Sequence, residues 1–375
     1  MINLFCIRPK GFNVGNDAIF QGTRHFLYKA FGESINLITL PATAKYEGMA
    51  KAGLTAKTIY EINQYGHGVI IGGGNLFENG ELDVDLDALK CLEAPLMLFS
   101  LSRGKVYGRH NQLVDRTDAI SDRVIQGLDA KASFSLARDH ATAEYMRQIG
   151  CKNCEVGGCP TIFLEEVRGR FPQLPAPADR DVLISIRNPQ LMSIPVTRQA
   201  QVVDDVWSMV HLLRERGHER IKLLCHDHRD IAFAASFAGI DHVYTGDVYE
   251  YLNLLDECAL NISYRLHSFL PCLSFGRPTI KISYDQRAIS LVETVGFDDW
   301  NINMLKEPDV TRAVADRLDR MDDLSRMRRG VQGHWDAIYQ NMEVTFRNFA
   351  AEVKQFAKSI APCEKEATRS IVEAA

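Results

Sequence analysis

The chain has no surplus of basic charge. Its 375 residues carry 43 Lys and Arg against 48 Asp and Glu, a net charge of −5, so duplex nucleic acid finds no electrostatic footprint and any anion must be met by local groups. No stretch approaches the ~18 uninterrupted apolar residues of a membrane span. The N-terminal "MINLFCIRPKGF" lacks the long apolar core and small-residue cleavage site of a signal peptide. Nine cysteines, an odd number scattered over hydrophobic segments, make no disulfide framework, so a reducing cytoplasm is the expected setting. Cys151, Cys154 and Cys159 form the one tight group. No second pair or nearby histidine completes four zinc ligands, and they read as buried thiols. The glycines of "GGGN" (72–75) do not match a dinucleotide fingerprint, and no Walker lysine follows them, which disfavours nicotinamide and P-loop chemistry.

What is present is an alternation of apolar runs and amphipathic helices. Residues 2–9, 35–40, 68–73, 94–101 and 132–137 read as buried strands. Between the first two, Ile19, Thr23, Phe26, Leu27 and Ala30 share one helical face. The proline- and charge-rich stretch 167–181 breaks the pattern. It then restarts with strands at 182–187, 221–225, 242–246, 259–264 and 279–284. Continuous apolar strands separated by helices imply parallel sheets covered on both faces. The expected fold is therefore α/β, with two Rossmann-like doubly wound domains, 1–166 and 182–305, facing a cleft across a linker at 167–181. A helical extension, 306–375, carries apolar residues at intervals of three and four from Leu324 to Phe356 and is long enough to reach back over the first domain.

In open α/β sheets, ligands sit beyond the carboxyl ends of the strands, so chemistry is sought just after each one. After the first strand, Gly11 and Gly15 permit a tight turn, and Asn16 or Asp17 is expected to cap the next helix. On a functional reading, Asn13, Asn16 and Asp17 face the cleft and contact a substrate hydroxyl. Gly73 and Gly74 permit close approach of a ligand or of the facing domain. Arg138-Asp139 reads as a structural pair and helix cap. Arg187 ends a strand pointing at the cleft. "CHDHRD" (225–230) groups His226, Asp227, His228 and Asp230, a loop of metal-binding residue types whose spacing does not converge on one ion.

The densest signal is "NISYRLHSFLPCLSFGRPTIKISYDQR" (261–287). It reads as strand, helix and strand, with Gly276 stopping the helix. His267 and Ser268 then lie at a helix N-terminus, which attracts an anion. Arg265 adds a permanently charged fork suited to phosphate or carboxylate. The next strand delivers Tyr284, Asp285 and Arg287 to the same edge.

With these pieces in view, the sequence resembles the polysaccharide pyruvyltransferase family over roughly its first 300 residues. The matching pieces are "NVGNDAI", "IIGGGNLF", "RDHATAEYMRQIG", the "HD" of "CHDHRD", "SYRLHS" and "GRPTIKISYDQR". It departs where the family usually has Asp (Asn16 here), Lys (near Arg287) and Asp (Cys159). The resemblance implies a GT-B-like transferase that makes a pyruvate ketal on a saccharide from phosphoenolpyruvate, with release of phosphate, in cell-surface polysaccharide biosynthesis. It implies no metal and no cofactor beyond phosphoenolpyruvate as donor. The acceptor would be a saccharide, lipid-linked or nucleotide-linked, met by the first domain, with peripheral membrane contact compatible. Arg187, Arg265 and Arg287 would hold the donor anion, His267 would transfer a proton, and Asp17 would orient or deprotonate the acceptor. Two alternatives stay open. One is a nucleotide-sugar glycosyltransferase using Asp247 or Glu250 on a ribose. The other is a non-catalytic saccharide-binding protein.

Overall fold

Strands apolar on both faces need helices on both faces, and the chain builds that arrangement twice. A computed structural model describes residues 1–9, 11, 13–32, 35–45, 51–171 and 180–361. The first half holds β1 (Ile2–Arg8), β2 (Ile35–Pro41), β3 (Gly68–Gly74) and β4 (Leu96–Leu101). A small hairpin of β5 (Val106–Tyr107) and β6 (Leu113–Val114) follows, then β7 (Phe134–Ala137) and β8 (Cys154–Val156). The second half holds β9 (Val182–Ser185), β10 (Ile221–Cys225), β11 (Asp241–Tyr244), β12 (Leu260–Ser263), β13 (Thr279–Ser283) and β14 (Asn301–Asn303). All ten strands read from the sequence are present. The three-residue β8 and β14 and the two-residue hairpin strands are too short to leave a periodic signal.

The first sheet runs β2-β1-β3-β4-β7-β8 and the second β11-β10-β9-β12-β13-β14, with every ladder within them parallel. The strand order reverses between β1 and β3 in one sheet and between β9 and β12 in the other. At such switch points successive connections leave in opposite directions and open a crevice. The two crevices face each other.

Helices join the halves. The helix Val14–Phe31 packs on the first sheet, and Val14 N–H donates to the His226 carbonyl of the second domain at 3.0 Å. Three helices close the described chain, Val310–Asp319, Met321–Gly330 and Gln332–Ile360. The last one lies on the first domain, where Phe346 stacks on Phe26 at 5.5 Å and meets Phe99 edge-on at 4.8 Å. A Cβ at Gly68 would stand 2.6 Å from Val353 of that helix, so close packing requires glycine there. Its other end is tied to the second domain, with Trp335 Nε1 donating to the Val295 carbonyl at 2.9 Å. Of the proposed linker 167–181, residues 172–179 lie outside the described residues, as do 362–375 of the extension.

Candidate functional site

The facing crevices enclose a cavity of about 490 Å³. Its walls come from the switch-point strand ends. Asn13 and Asn16 follow β1, Asn75 and Leu76 follow β3, Arg187 follows β9, and Tyr264, Arg265 and His267 follow β12. Arg138 beyond β7, His226 beyond β10, and Tyr284, Asp285 and Arg287 beyond β13 add to the polar lining, as do Arg116 and Arg229.

Local sequence explains how two helix ends reach this point. Asn13 caps the helix Val14–Phe31, its Oδ1 accepting from Gly15 N–H at 3.1 Å. The expected cap at Asn16 or Asp17 is thus corrected, because the cap lies three residues before Asn16, which falls in the first turn of the helix. At Gly15 a Cβ would lie 3.0 Å from His267 Cβ, so glycine lets this helix end close on the histidine. The facing helix, Leu266–Ser274, starts directly after Arg265 and is stopped by Gly276 at φ +69°. Both positive helix ends thus bear on the same space.

The cations of the cavity differ in how far they are already neutralised. Arg187 lies 3.3 Å from both Asp227 and Asp230. Arg287 reaches across the domain boundary to Glu78 at 2.8 Å and also holds Asp285 at 3.1 Å. Burial lowers its proton affinity, but Asp285 and Glu78 more than offset this and raise it. Arg287 is therefore a bridge between domains with its charge already met by carboxylates, and it lines the cavity. Arg265 is different. Among the described residues its guanidinium has no carboxylate or hydrogen-bond partner, although the residue is only 9% exposed. Arg138 is more deeply buried, at 3%; its Nε makes no hydrogen bond and pairs with the buried Asp139 carboxylate at 3.8 Å.

His267 stands among these charges. Burial, then the fields of Arg138, Arg265, Lys281 and Arg287, hold its imidazole well below the ordinary histidine range, so it is neutral at pH 7. Its Nε2 has no partner among the described residues, and its carbonyl accepts from the Tyr251 hydroxyl. Buried His226 is likewise held well down, by burial and then by Arg265, His267, Arg187 and Lys281. A buried guanidinium that meets no carboxylate, beside two neutral imidazoles, makes this part of the cavity electrostatically favourable to an anion.

Several residues expected at the site lie elsewhere. Asp17 is off the cavity, paired with Arg8 at 2.7 Å. Ser268 is fully buried beneath the helix, its hydroxyl 2.6 Å from that of Ser185 and its N–H bonded to the Arg265 carbonyl. Gly73 and Gly74 adopt φ +81° and +108°. A Cβ on Gly73 would strike Ile19 Cγ2 at 2.5 Å, so that glycine seats the first helix on β3. Asp247 caps the helix Val248–Glu257, and Glu250 bonds Thr245; neither lines the cavity. In the 225–230 loop, Asp227 and Asp230 hold arginines, and no group of three or more metal-binding side chains converges among the described residues. Burial pushes the Cys151 thiol up to about 12 and the Cys154 thiol to about 11.

Sequence reasoning missed Arg138, read only as a pair with its neighbour. Asp139 does cap the helix His140–Gln148, but Arg138 turns into the cavity. It follows β7 as Arg187 follows β9, and that position was the available signal. Glu78 and Lys281 were also missed, since their roles rest on distant partners.

A sequence model described as polysaccharide pyruvyl transferase matches residues 13–286. No curated protein matches the chain. Among solved structures, the S. aureus MnaA–UDP co-structure is 14% identical, with a TM-score of 0.54 over 88% of this chain and 90% of that one. UDP-GlcNAc 2-epimerase from Neisseria meningitidis, bound to UDP-GlcNAc, is 9% identical, with a TM-score of 0.53 over 96% and 99%. The Methanocaldococcus jannaschii UDP-GlcNAc 2-epimerase in complex with UDP-GlcNAc and UDP is 12% identical, with a TM-score of 0.51 over 84% and 92%. At such identities the likeness is one of fold, and the fold is GT-B. No helix of the described residues is long and apolar enough to cross a membrane.

Proposed function

The chain belongs to the polysaccharide pyruvyl transferase family, an enzyme family of transferases, and on that premise we propose that it forms a pyruvate ketal on a saccharide from phosphoenolpyruvate. The observation that carries this reading is the buried Arg265 guanidinium, whose charge no carboxylate meets among the described residues, beside neutral His267. Phosphoenolpyruvate carries a phosphate and a carboxylate on a three-carbon frame. A cavity of about 490 Å³ holds it with room for a sugar ring.

The chemistry follows from charge. Binding a polyanion opposes the cationic field that keeps His267 neutral, so its imidazole gains a proton in the complex. That proton goes to the methylene carbon, and C2 gains oxocarbenium character. One sugar hydroxyl adds to C2 and returns its proton to His267. The C2–O bond to phosphate breaks, with Arg265 and Arg138 holding the departing charge. A neighbouring hydroxyl then closes the ketal, and its proton leaves with phosphate. Two protons leave the sugar; one ends in the new methyl group and one on phosphate. Asn13, Asn16 and Asn75 face the sugar side with carboxamides suited to hydroxyls. Asp17, held by Arg8 away from the cavity, takes no part. The substrates are phosphoenolpyruvate and a lipid-linked or nucleotide-linked saccharide.

The test is incubation with phosphoenolpyruvate and a panel of such saccharides, following phosphate release and the mass of the product. Phosphate release matched by a carboxyethylidene mass gain is expected. Consumption of a nucleotide sugar with phosphoenolpyruvate untouched would refute the reading in favour of a glycosyltransferase. Saccharide binding without turnover of either would point to a non-catalytic protein.

A further inference from the structure

Parallel core strands normally carry Val, Ile or Leu, yet β13 places a fully buried lysine, Lys281, at its centre. Its ammonium donates to the carbonyls of Tyr264 at 3.1 Å, Ser263 at 3.3 Å and Ile282. Three donors thus meet three acceptors. Two of those carbonyls belong to the residues just before Arg265. The Ser263 hydroxyl grips the same turn, accepting from Arg265 N–H at 3.0 Å and donating to the Arg265 carbonyl at 2.7 Å. No carboxylate touches the ammonium among the described residues, so its charge is met by dipoles alone.

We propose that Lys281 is a positioning residue of the anion site, its ammonium pinning the end of β12 so that Arg265 and His267 are held in place for the donor. The inference rests on the donor-site reading given above. It makes binding sensitive to the ionisation of Lys281. Burial pulls this lysine down to about 7, with Asp285 opposing and Arg265 adding to the fall. The other charged or titratable groups facing it are His267 and His226, both neutral above pH 7. An anion beside Arg265 favours the charged form, so donor binding takes up a proton at Lys281 in addition to the one gained by His267. Affinity then falls as pH rises from 7 towards 9, by at most about tenfold per unit for one linked proton. In that range the donor's phosphate is already fully ionised.

The experiment measures phosphoenolpyruvate binding by calorimetry between pH 7 and 9, in two buffers of different ionisation enthalpy. It uses the wild type, Lys281→Met and Arg265→Ala, with steady-state kinetics alongside. The wild type is expected to take up a proton and weaken with pH. Lys281→Met is expected to take up one proton fewer than the wild type, to weaken less with pH, and to raise KM by about tenfold with a smaller change in kcat. If Lys281→Met does not fold, proton uptake by His267→Asn, which lacks the imidazole's own contribution, decides. Wild-type binding that is flat with pH and free of proton uptake overturns the inference, as does Lys281→Met keeping the wild-type pH profile. Should Arg265→Ala bind phosphoenolpyruvate like the wild type, the donor-site reading itself fails. Loss of binding in Arg265→Ala with no Lys281 effect removes only the role of Lys281.

Discussion

Replacing Arg265 and Arg187 by alanine separates a ligand-binding cation from a structural one. Both are arginines at the cleft, and they differ in what they leave behind. Arg265 has no carboxylate partner among the described residues, so its removal orphans no anion. Its charge also disfavours the protonated forms of Arg187, His226, His267 and Lys281, and that repulsion is relieved. The melting temperature of Arg265→Ala should be unchanged or raised. Its affinity for phosphoenolpyruvate should drop by about 2–4 kcal/mol, the range of a buried charge-assisted contact, or roughly 30- to 1000-fold. Arg187→Ala instead strands Asp227 and Asp230, both fully buried. Asp227 retains Arg229 and Asp230 retains the Asn188 N–H at 2.9 Å, so the cost is below that of a wholly broken pair, about 2–3 kcal/mol of stability. Thermal melts and calorimetric titration with phosphoenolpyruvate, run on both variants, decide the matter. If Arg265→Ala melts as low as Arg187→Ala, or binds the donor like the wild type, the division of roles is wrong.

Three further outcomes are expected. His226 and His267 have proton affinities held well below the ordinary histidine range. As pH falls below 6.5 the unfolded chain binds protons that the folded protein refuses, so stability falls by at most about 1.4 kcal/mol per unit per histidine. Urea midpoints at pH 7.5 and 5.5 should show a smaller fall in His267→Asn than in the wild type, and equal falls would contradict the assignment. Gly73→Ala, with φ +81° and a Cβ 2.5 Å from Ile19, should lose about 2–4 kcal/mol of stability while the folded fraction binds donor normally. Weakened donor binding at full stability would instead restore Gly73 as a ligand contact. Asp17→Asn should leave phosphate release unchanged and cost no more than about 1 kcal/mol, since its pair with Arg8 is partly exposed; loss of turnover would make Asp17 a base after all.

The strands and the turn carrying Arg265 and His267 were legible because they are local. A run such as Thr279–Ser283 or Leu260–Ser263 announces itself by composition, and the cleft follows from parallel topology. The chain alone thus determined the two doubly wound halves and the ends at which chemistry could sit. Which of the cations remain available was decided by tertiary structure. Arg287 is neutralised by Glu78, 209 residues away, and Arg187 by Asp230, 43 residues away, whereas Arg265 meets no such partner and Arg138 has its neighbour Asp139 at 3.8 Å. Electrostatic state depends on distance and burial in space. No spacing along the sequence reports that distance, so the same residue type reads identically as a bridge or as a ligand until the fold brings its neighbours into place.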